Sequence, residues 1–229
     1  MLKLSGEVFS GKADYGIHRE AFIDTAQQIK EVSKKGIQLV IVVGGGNIWR
    51  YRDTKENGIE RTVSDAMGML ATIMNSVALQ SALESMWIET RVLSAVAIPQ
   101  LAEPFIKRRA LRHLDKKRIV ICAGGTGNPF FTTDSAAALR ALELSCDVVL
   151  KATNVDGIYN KDPNKFKDAV KYDEVTYQEA LEKHLNIMDQ AAFSLCQEQD
   201  LPIIVFNFLK KGSLLAAATG EKIGTFVHA

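Results

Sequence analysis

A nearly uninterrupted run of apolar residues at positions 37–43 constrains the fold more than any other feature of the chain. It reads Ile-Gln-Leu-Val-Ile-Val-Val and is rich in β-branched side chains. Such a run is typical of a strand that is buried on both faces, as in a parallel sheet covered by helices. Similar runs lie at 119–122, 147–150 and 202–208. We therefore expect several buried strands in one sheet.

Segments with helical spacing lie between these strands. Phe22, Ala26 and Ile29 fall on one face of a predicted helix, and Thr132 or Thr133 is expected to cap another. A long helix is predicted from an apolar stripe that we expect to face either the core or another subunit. The stripe consists of Val63, Met67, Leu70, Met74 and Val77. This alternation predicts an α/β fold with a mainly parallel central sheet.

Charge balance and cysteine content argue against several classes of protein. The chain has 28 basic and 27 acidic residues among 229, so no overall field would attract nucleic acid or an anionic membrane. Cys122, Cys146 and Cys196 form no metal-ligand pattern, and their odd number suits a reducing cytosol. No continuous apolar run approaches the roughly 20 residues that span a bilayer. We expect one cytoplasmic domain, residues 1–229, that binds neither nucleic acid nor membrane.

Three glycines and an asparagine directly follow the first apolar run, at positions 44–47. Glycines allow the backbone to approach a ligand closely and to present neighbouring N–H groups to phosphate oxygens. A simple tight turn is the alternative. The position favours phosphate, because open α/β sheets bind ligands at the carboxyl ends of their strands. Arg50 follows closely enough to add a charged contact.

Three further segments carry residue types that a nucleotide site needs. Segment 3–7 places Lys3 before a small-residue turn, where it is either a solvated lysine or a group that neutralises phosphoryl charge. Segment 124–134 combines glycines, hydroxyls, two aromatic rings and a carboxylate at a helix start. Segment 151–163 contains turn residues and Tyr159, whose ring could stack on a purine.

The common nucleotide-binding signatures are nevertheless absent. The chain contains neither G-x-x-x-x-G-K-[ST] nor H-R-D-x-x-x-x-N. The glycines at 44–46 do not open a G-x-G-x-x-G pattern, because its last position is Trp49. Polar and turn-rich residues at 51–60 and 154–168 predict two loops beside the site.

Together these segments resemble the amino acid kinase superfamily and, within it, the bacterial-type UMP kinases. The resemblance covers essentially the whole chain and rests on residues 3–7, 44–47, 65, 67–72, 126–134, 151–157 and 188–189. Segment 126–134 is the most specific, since it separates UMP kinases from aspartate, glutamate and carbamate kinases. The resemblance implies a three-layer α/β/α sandwich, with a UMP-binding half at roughly 1–145 and an ATP-binding half at roughly 146–229.

The resemblance also implies an activity and an assembly. The terminal phosphate of Mg²⁺–ATP would pass reversibly to UMP, giving ADP and UDP. The enzyme would be a homohexamer of dimers that GTP activates and UTP inhibits. Two alternatives remain open: another superfamily member that makes an acyl phosphate, and a nucleotide-binding storage or regulatory protein on the same fold.

Individual roles follow from the resemblance, position by position. Lys3 would stabilise the phosphoryl group, Asp189 would orient Lys3, and Asp134 would act near the metal or behind its ligands. Arg50 completes the catalytic set, and Asp65 would accept from the ribose of UMP. The UMP site would comprise Gly45, Asp65, Thr126, Gly127, Asn128, Pro129, Phe130, Phe131, Thr132 and Thr133. The ATP site would comprise Lys3, Ser5, Gly6, Gly46, Arg50, Thr153, Asn154, Tyr159 and Asp162.

Some features lie outside these motifs. Basic residues between 107 and 118 form either a solvated face or a phosphate site for an effector nucleotide; they are Lys107, Arg108, Arg109, Arg112, Lys116, Lys117 and Arg118. The four histidines are expected at the surface; they are His18, His113, His184 and His228. Only Met1 and Leu2 precede Lys3, so the resemblance leads us to expect further residues of the first strand upstream.

Overall fold

A computed structural model describes residues 1–11, 13, 15–50 and 58–229 of the chain. Within that part the strands are β1 (Leu2–Leu4), β2 (Val40–Val43), β3 (Thr90–Ser94), β4 (Glu103–Pro104), β5 (Ile119–Ala123), β6 (Val149–Thr153), β7 (Glu174–Thr176), β8 (Ile203–Asn207) and β9 (Thr225–His228). The α-helices are α1 (Arg19–Ser33), α2 (Arg61–Glu84), α3 (Lys107–Asp115), α4 (Thr133–Glu143), α5 (Tyr177–Glu182), α6 (Gln190–Glu198) and α7 (Ser213–Ala218). A 3₁₀ helix covers Gly6–Ser10.

The strands form one sheet in the order β4-β3-β5-β2-β1-β6-β8-β9-β7. Neighbouring strands are parallel except for the antiparallel pair β8 and β9. Strand β1 lies in the middle, where it pairs with β2 on one side and β6 on the other. Lys3 is therefore held in a central strand by ladder hydrogen bonds on both sides.

Helices cover both faces of the sheet. Along β2, Val40 and Val42 face one hydrophobic core, which α3, α4, α5 and α6 complete. Ile41 and Val43 face the other core, which α1, α2 and α7 complete. This alternation is the period of two that a strand buried on both faces must have. The predicted three-layer α/β/α sandwich with a mainly parallel sheet is confirmed.

The predicted strand boundaries are shifted by a few residues. The run at 37–43 forms a strand only from Val40 onward, and Gln38 is exposed. The run at 147–150 forms a strand from Val149 to Thr153, because that stretch pairs with β1 and β8. Thr132 caps α4 as predicted, and its hydroxyl accepts from the amide of Asp134. Most of the predicted loop at 51–60 lies outside the described residues.

The long predicted helix exists, but three of the five residues in its apolar stripe do not face the core. Val63, Leu70 and Met74 are 50%, 48% and 52% exposed. The buried side of α2 carries larger apolar residues such as Leu79 further along, and small or polar residues such as Ala71 and Thr72 where it meets the loops. Small residues are needed there because glycine loops from the sheet pack against this side of the helix. The core interpretation of the stripe is wrong for these three residues, whereas Val77 packs against the core.

Helix α2 is also long and apolar enough, by length and composition, to cross a membrane. Its inner side packs on β2, β3 and β5. The side chains of Thr72 and Asn75 on that side hydrogen-bond to Gly124 and Gly44 in the loops that follow the strands. Such contacts identify α2 as a core helix of the sandwich.

The expectation that every histidine lies at the surface is wrong for His113, which is buried. Its Nε2 lies 3.2 Å from Oε1 of Glu103, and Arg118 lies 3.3 Å from its Nδ1. Helix α3 turns this residue toward the edge strand β4, where two polar partners satisfy both ring nitrogens. A buried histidine with two partners is a stable arrangement that spacing alone does not reveal.

Candidate active site

Two lysines on adjacent strands meet at a single carboxylate. Lys3 of β1 and Lys151 of β6 are paired residues in the sheet, so their side chains leave the same face. The Nζ of Lys3 lies 2.7 Å from Oδ1 of Asp134, and the Nζ of Lys151 lies 2.6 Å from Oδ2. Lys151 also donates to the carbonyl of Ile187 at 2.5 Å. All three side chains are largely buried, so the cluster is a fixed feature of the site.

The protonation states of this cluster follow from its burial and charge. Burial raises the pKa of Asp134, but the charges of Lys3 and Lys151 and their hydrogen bonds outweigh it, so the pKa falls below its ordinary value. Burial is the main cause that lowers the pKa of Lys151, and the charge of Lys3 adds to it, while Asp134 opposes both. Both oxygens of the ionised carboxylate are paired with lysine ammonium groups, so Asp134 positions the two lysines and does not act as a general base.

The glycine loops that follow β1 and β2 are in direct contact. A Cβ atom on Gly6 would lie 2.7 Å from both the carbonyl oxygen of Gly44 and the nitrogen of Gly46, and one on Gly45 would lie 2.8 Å from Cβ of Ala71. Only glycine fits where backbones approach this closely. Ser5 begins the short helix there and accepts from the amide of Glu7 at 3.3 Å.

Arg50 belongs to the same corner of the site. Its Nε donates to the carbonyl of Gly46 at 2.5 Å, and its Nη2 lies 2.9 Å from Oε1 of Glu7. Its guanidinium lies 5.8 Å from the ring centroid of Tyr15. The structure therefore brings together Ser5, Gly6, Gly45, Gly46 and Arg50, as the sequence predicted.

Asp65 fastens the loop between β5 and α4 to helix α2. Its Oδ2 accepts from the amide of Phe130 at 2.8 Å, and Arg61 donates to both of its oxygens at 2.8 and 2.9 Å. Phe130 has a φ of 72°, a conformation that side-chain-bearing residues rarely adopt. Such a residue persists only where contacts hold it, and these cluster at functional sites.

The rest of that loop presents its side chains outward. Phe130 and Phe131 are 65% and 52% exposed, which leaves both rings open to a ligand. Thr126 closes a local turn through Asn128 at 3.2 Å. Gly127 has a φ of 82° and lies close to Ala95. The loop that begins at Thr126, continues through the half-buried Pro129 and ends at Thr133 thus lies along the mouth between α2 and α4.

Asp189 has a different position from the one predicted. It caps α6 through the amide of Ala192 at 3.0 Å and accepts from Ser135 at 3.0 Å and from the hydroxyl of Thr132. The carboxylate that contacts Lys3 is Asp134, so the predicted orienting role belongs to Asp134 and not to Asp189. Asp189 instead fixes the start of α4, the helix that carries Asp134.

Four of the nine residues predicted to bind ATP lie in the segment that follows Lys151. Thr153, Asn154, Tyr159 and Asp162 line one cleft of 720 Å³, together with Asp134 and Lys151. A larger cleft of 1390 Å³ is lined by Lys3, Ser5 and Thr153 among others, and it shares Lys151 and Asn154 with the first. The two clefts therefore adjoin at the lysine cluster, where groups bound on either side could meet.

Lys151 is the main residue whose role the sequence analysis missed. It was recognised only as the first residue of a loop segment. Its signal was present, since a lysine inside the apolar strand Val149–Thr153 is unusual for a residue type that is seldom buried without a partner. The partner, Asp134, lies 17 positions earlier in the chain, and only the fold joins them.

A parallel sheet whose glycine loops and buried lysines converge at the carboxyl ends of neighbouring strands defines a phosphate-binding α/β protein. The profile of the amino acid kinase family matches residues 1–207. The chain belongs to this family.

Solved structures extend the comparison over the full chain. UMP kinase from Bacillus anthracis superposes with a TM-score of 0.96 at 37% identity, covering 99% of this chain and 94% of that one. UMP kinase from Ureaplasma parvum gives 0.94 at 37% identity, covering 100% and 97%. Uridylate kinase from Archaeoglobus fulgidus is more distant, at 0.74 and 29% identity, with 99% of each chain covered.

Proposed function

We propose that the chain transfers the terminal phosphate of ATP to UMP, giving ADP and UDP. The observation that carries this proposal is the similarity to two solved UMP kinases at 37% identity over at least 99% of the chain. The geometry supports it, because the loop 126–133 leads directly into the start of α4, which carries Asp134, and the segment 153–162 lines a cleft together with Asp134 and Lys151. We assign UMP to the first and ATP to the second.

The chemistry of the step agrees with the residues that are present. The phosphate of UMP carries an ionised oxygen near neutral pH, so the attack needs no strong base. Positioning and neutralisation of charge on the transferring group then dominate the rate. Lys3 and Lys151 supply ammonium groups for this purpose, and Asp134 holds both at fixed positions. Gly45 adds a donor on the UMP side, and Gly46 and Arg50 add donors on the ATP side.

We include Mg²⁺ in the proposal as part of the ATP substrate. Among the residues that the structure describes, no group of three or more His, Cys, Asp or Glu side chains could hold a metal ion. Mg²⁺ commonly takes its ligands from nucleotide phosphates and water, with one or two carboxylates, so this donor set fits an ion that arrives with the nucleotide. Its chemical contribution when bound is to neutralise phosphate charge.

We also propose a homohexamer built from dimers in the cytoplasm. The exposed apolar side chains of Val63, Leu70 and Met74 on α2 support an interface. In the monomer these side chains would contact water, and contact with a second subunit would bury them.

We propose that GTP and UTP act as effectors at the basic surface of α3 and the turn after it. Arg109 and Arg118 are engaged with Glu103 and Glu89. Lys107, Arg108, Arg112, Lys116 and Lys117 are exposed, and this surface could accept a nucleotide phosphate.

A coupled assay of ADP release tests the activity. We expect ADP formation that depends on UMP and responds much more weakly to CMP, dUMP and GMP. The Lys3→Met variant, with its ammonium removed, serves as the inactive control for contaminating kinases. ADP release that is indifferent to every monophosphate would refute the proposal.

The same assay separates the two alternatives. An enzyme that makes an acyl phosphate would release ADP with a carboxylate substrate, and hydroxylamine would trap its product. A storage or regulatory protein would bind ATP tightly in calorimetry without turning it over.

A further inference from the structure

Two fully buried asparagines form a reciprocal pair beneath the glycine loops. Asn47 follows the loop after β2, and Asn75 lies on the inner side of α2; both are 0% exposed. Nδ2 of Asn47 donates to Oδ1 of Asn75 at 3.1 Å, and Nδ2 of Asn75 donates to Oδ1 of Asn47 at 2.7 Å. Neither side chain lines a cleft of the site, so neither is a candidate ligand of substrate.

The remaining hydrogen of each amide group holds a backbone carbonyl. Asn75 donates to the carbonyl of Gly44 at 2.8 Å, and Asn47 donates to that of Gly16 at 2.8 Å. The amide of Gly16 donates in return to the carbonyl of Asn47 at 2.7 Å. All four amide hydrogens of the pair are thus satisfied, which makes it a closed network.

The pair lies where the two glycine loops touch. A Cβ atom on Gly6 would lie 2.6 Å from Oδ1 of Asn47, so the loop after Lys3 rests directly on this side chain. Gly16 on the other side follows Tyr15, whose ring faces the guanidinium of Arg50. The network therefore connects α2 with the backbone near three groups that the proposed reaction uses, namely Lys3, the amide of Gly45 and Arg50.

The contact with Gly44 has a consequence for the neighbouring amide. The carbonyl of Gly44 and the N–H of Gly45 belong to one planar trans peptide, so they point in opposite directions. When Asn75 draws the carbonyl toward α2, the N–H of Gly45 must face away from that helix. Among the described residues, no acceptor contacts this N–H, which leaves it free for a phosphate oxygen.

Stability alone does not require amides at these positions. Replacing both partners of a buried hydrogen bond by apolar groups of similar shape can be nearly neutral. An apolar pair could fill the volume, but it would not set the rotation of the Gly44–Gly45 peptide. With glycine on both sides of that peptide, the backbone itself offers little resistance to rotation.

We propose that Asn75 is a positioning residue for phosphoryl transfer, which orients the N–H of Gly45 through the carbonyl of Gly44, and that Asn47 braces it. The inference rests on the proposed kinase activity, since its effect is read in turnover. Misplacement of one donor by about 1 Å can lower a rate about 100-fold. Because the donor serves a charge that develops during transfer, the loss falls mainly on kcat.

The test compares Asn75→Ala with Leu79→Ala on the same helix. Leu79 lies one turn further along α2 and is fully buried in the hydrophobic core, so its truncation destabilises the fold by leaving a cavity. We expect Asn75→Ala to lower kcat about 10- to 100-fold, with the KM values for UMP and ATP changed much less. Leu79→Ala should lower Tm at least as much and retain the wild-type kcat at 25 °C.

Three outcomes would overturn the proposal. The first is an Asn75→Ala enzyme that is folded and turns over like the wild type. The second is a Leu79→Ala enzyme that loses kcat equally, because the effect would then follow stability. The third is failure of both Asn75→Ala and the milder Asn75→Ser to fold, which would make the residue purely structural.

A measurement on the wild type separates this inference from the proposed function. Hydrogen exchange of the peptide that contains Gly45 should slow when UMP and ADP are added. If the wild type forms no UDP but this protection appears, the kinase assignment fails and with it the role in transfer, while the orientation of the Gly45 N–H toward a bound phosphate stands. If UDP forms without protection, the positioning inference fails alone.

Discussion

Replacing Asp134 by asparagine removes the charge that holds two buried ammonium groups together. The two ion pairs have lengths of 2.7 and 2.6 Å, and the side chains are 13% exposed for Lys3, 14% for Lys151 and 13% for Asp134. Removing one partner of a buried pair costs about 3–5 kcal/mol, because the remaining charge stays buried without compensation. For a chain of this size that corresponds to a decrease in Tm of about 6–20 °C.

Asp134→Asn should also lower kcat, and by more than the loss of stability alone would cause. Without Asp134, Lys3 and Lys151 repel each other and leave the positions from which they meet a phosphoryl group. A loss of position on this scale lowers kcat by about 100-fold or more. Differential scanning fluorimetry and the coupled ADP-release assay, both at neutral pH, measure the two effects on the same preparation.

The matched control makes the same chemical change in an exposed ion pair. Asp173 lies 3.0 Å from Lys171 and its side chain is 92% exposed, so Asp173→Asn should alter neither Tm nor kcat measurably. If Asp134→Asn melts at the temperature of this control and turns over like it, the lysine cluster has no structural or catalytic role. The reasoning from burial and charge would then be refuted.

Four shorter predictions follow from the same structure. The charges of Lys3 and Lys151 lower the pKa of Asp134 in the folded protein. The stability that ionised Asp134 contributes should therefore be complete above its unfolded pKa of about 3.9 and lost as the pH falls through the lower folded pKa. A series of Tm measurements at acid pH should show this loss in the wild type and not in Asp134→Asn. Asp65→Ala should weaken UMP binding far more than ATP binding in calorimetry, and equal losses would contradict its assignment to one nucleotide. Leu70→Glu should reduce the mass measured by light scattering, whereas Val170→Glu, at an exposed apolar residue elsewhere, should not. Lys151→Met should lower kcat about as strongly as Lys3→Met, and a much smaller effect would show that Lys3 acts alone.

Much of the architecture could be predicted from local sequence patterns. The buried strand β3 was not predicted, but apolar runs identified the buried strands β2, β5, β6 and β8, and glycines placed directly after β2 and β5 marked loops at the carboxyl ends. Local patterns suffice for these elements because strand burial and turn geometry depend on residues that are close in the chain. The same patterns could not define where a strand ends: β6 extends to Thr153 because β8 pairs with it there.

The direction of a helix face was less predictable. The apolar stripe of α2 indicates burial when it is considered alone, yet three of its five residues are exposed, while Thr72 and Asn75 are buried. The glycine loops decide this, because they bring backbone carbonyl and N–H groups against the helix and those groups need polar partners. The sequence of residues 61–84 alone does not predict that the glycine loops pack against this helix.

The residue types of the active site were set by the sequence alone: lysine at the end of a buried strand, glycine in the loops, and carboxylates at helix starts. Which carboxylate serves which lysine was decided only by the tertiary structure. Asp134 and Asp189 each begin or precede a helix, and spacing along the chain does not distinguish them. The pairing of β1 with β6 directs Lys3 and Lys151 toward the start of α4, so Asp134 binds both, while Asp189 caps α6. Contacts between residues distant in sequence depend on how the layers pack, and that packing is a property of the whole chain.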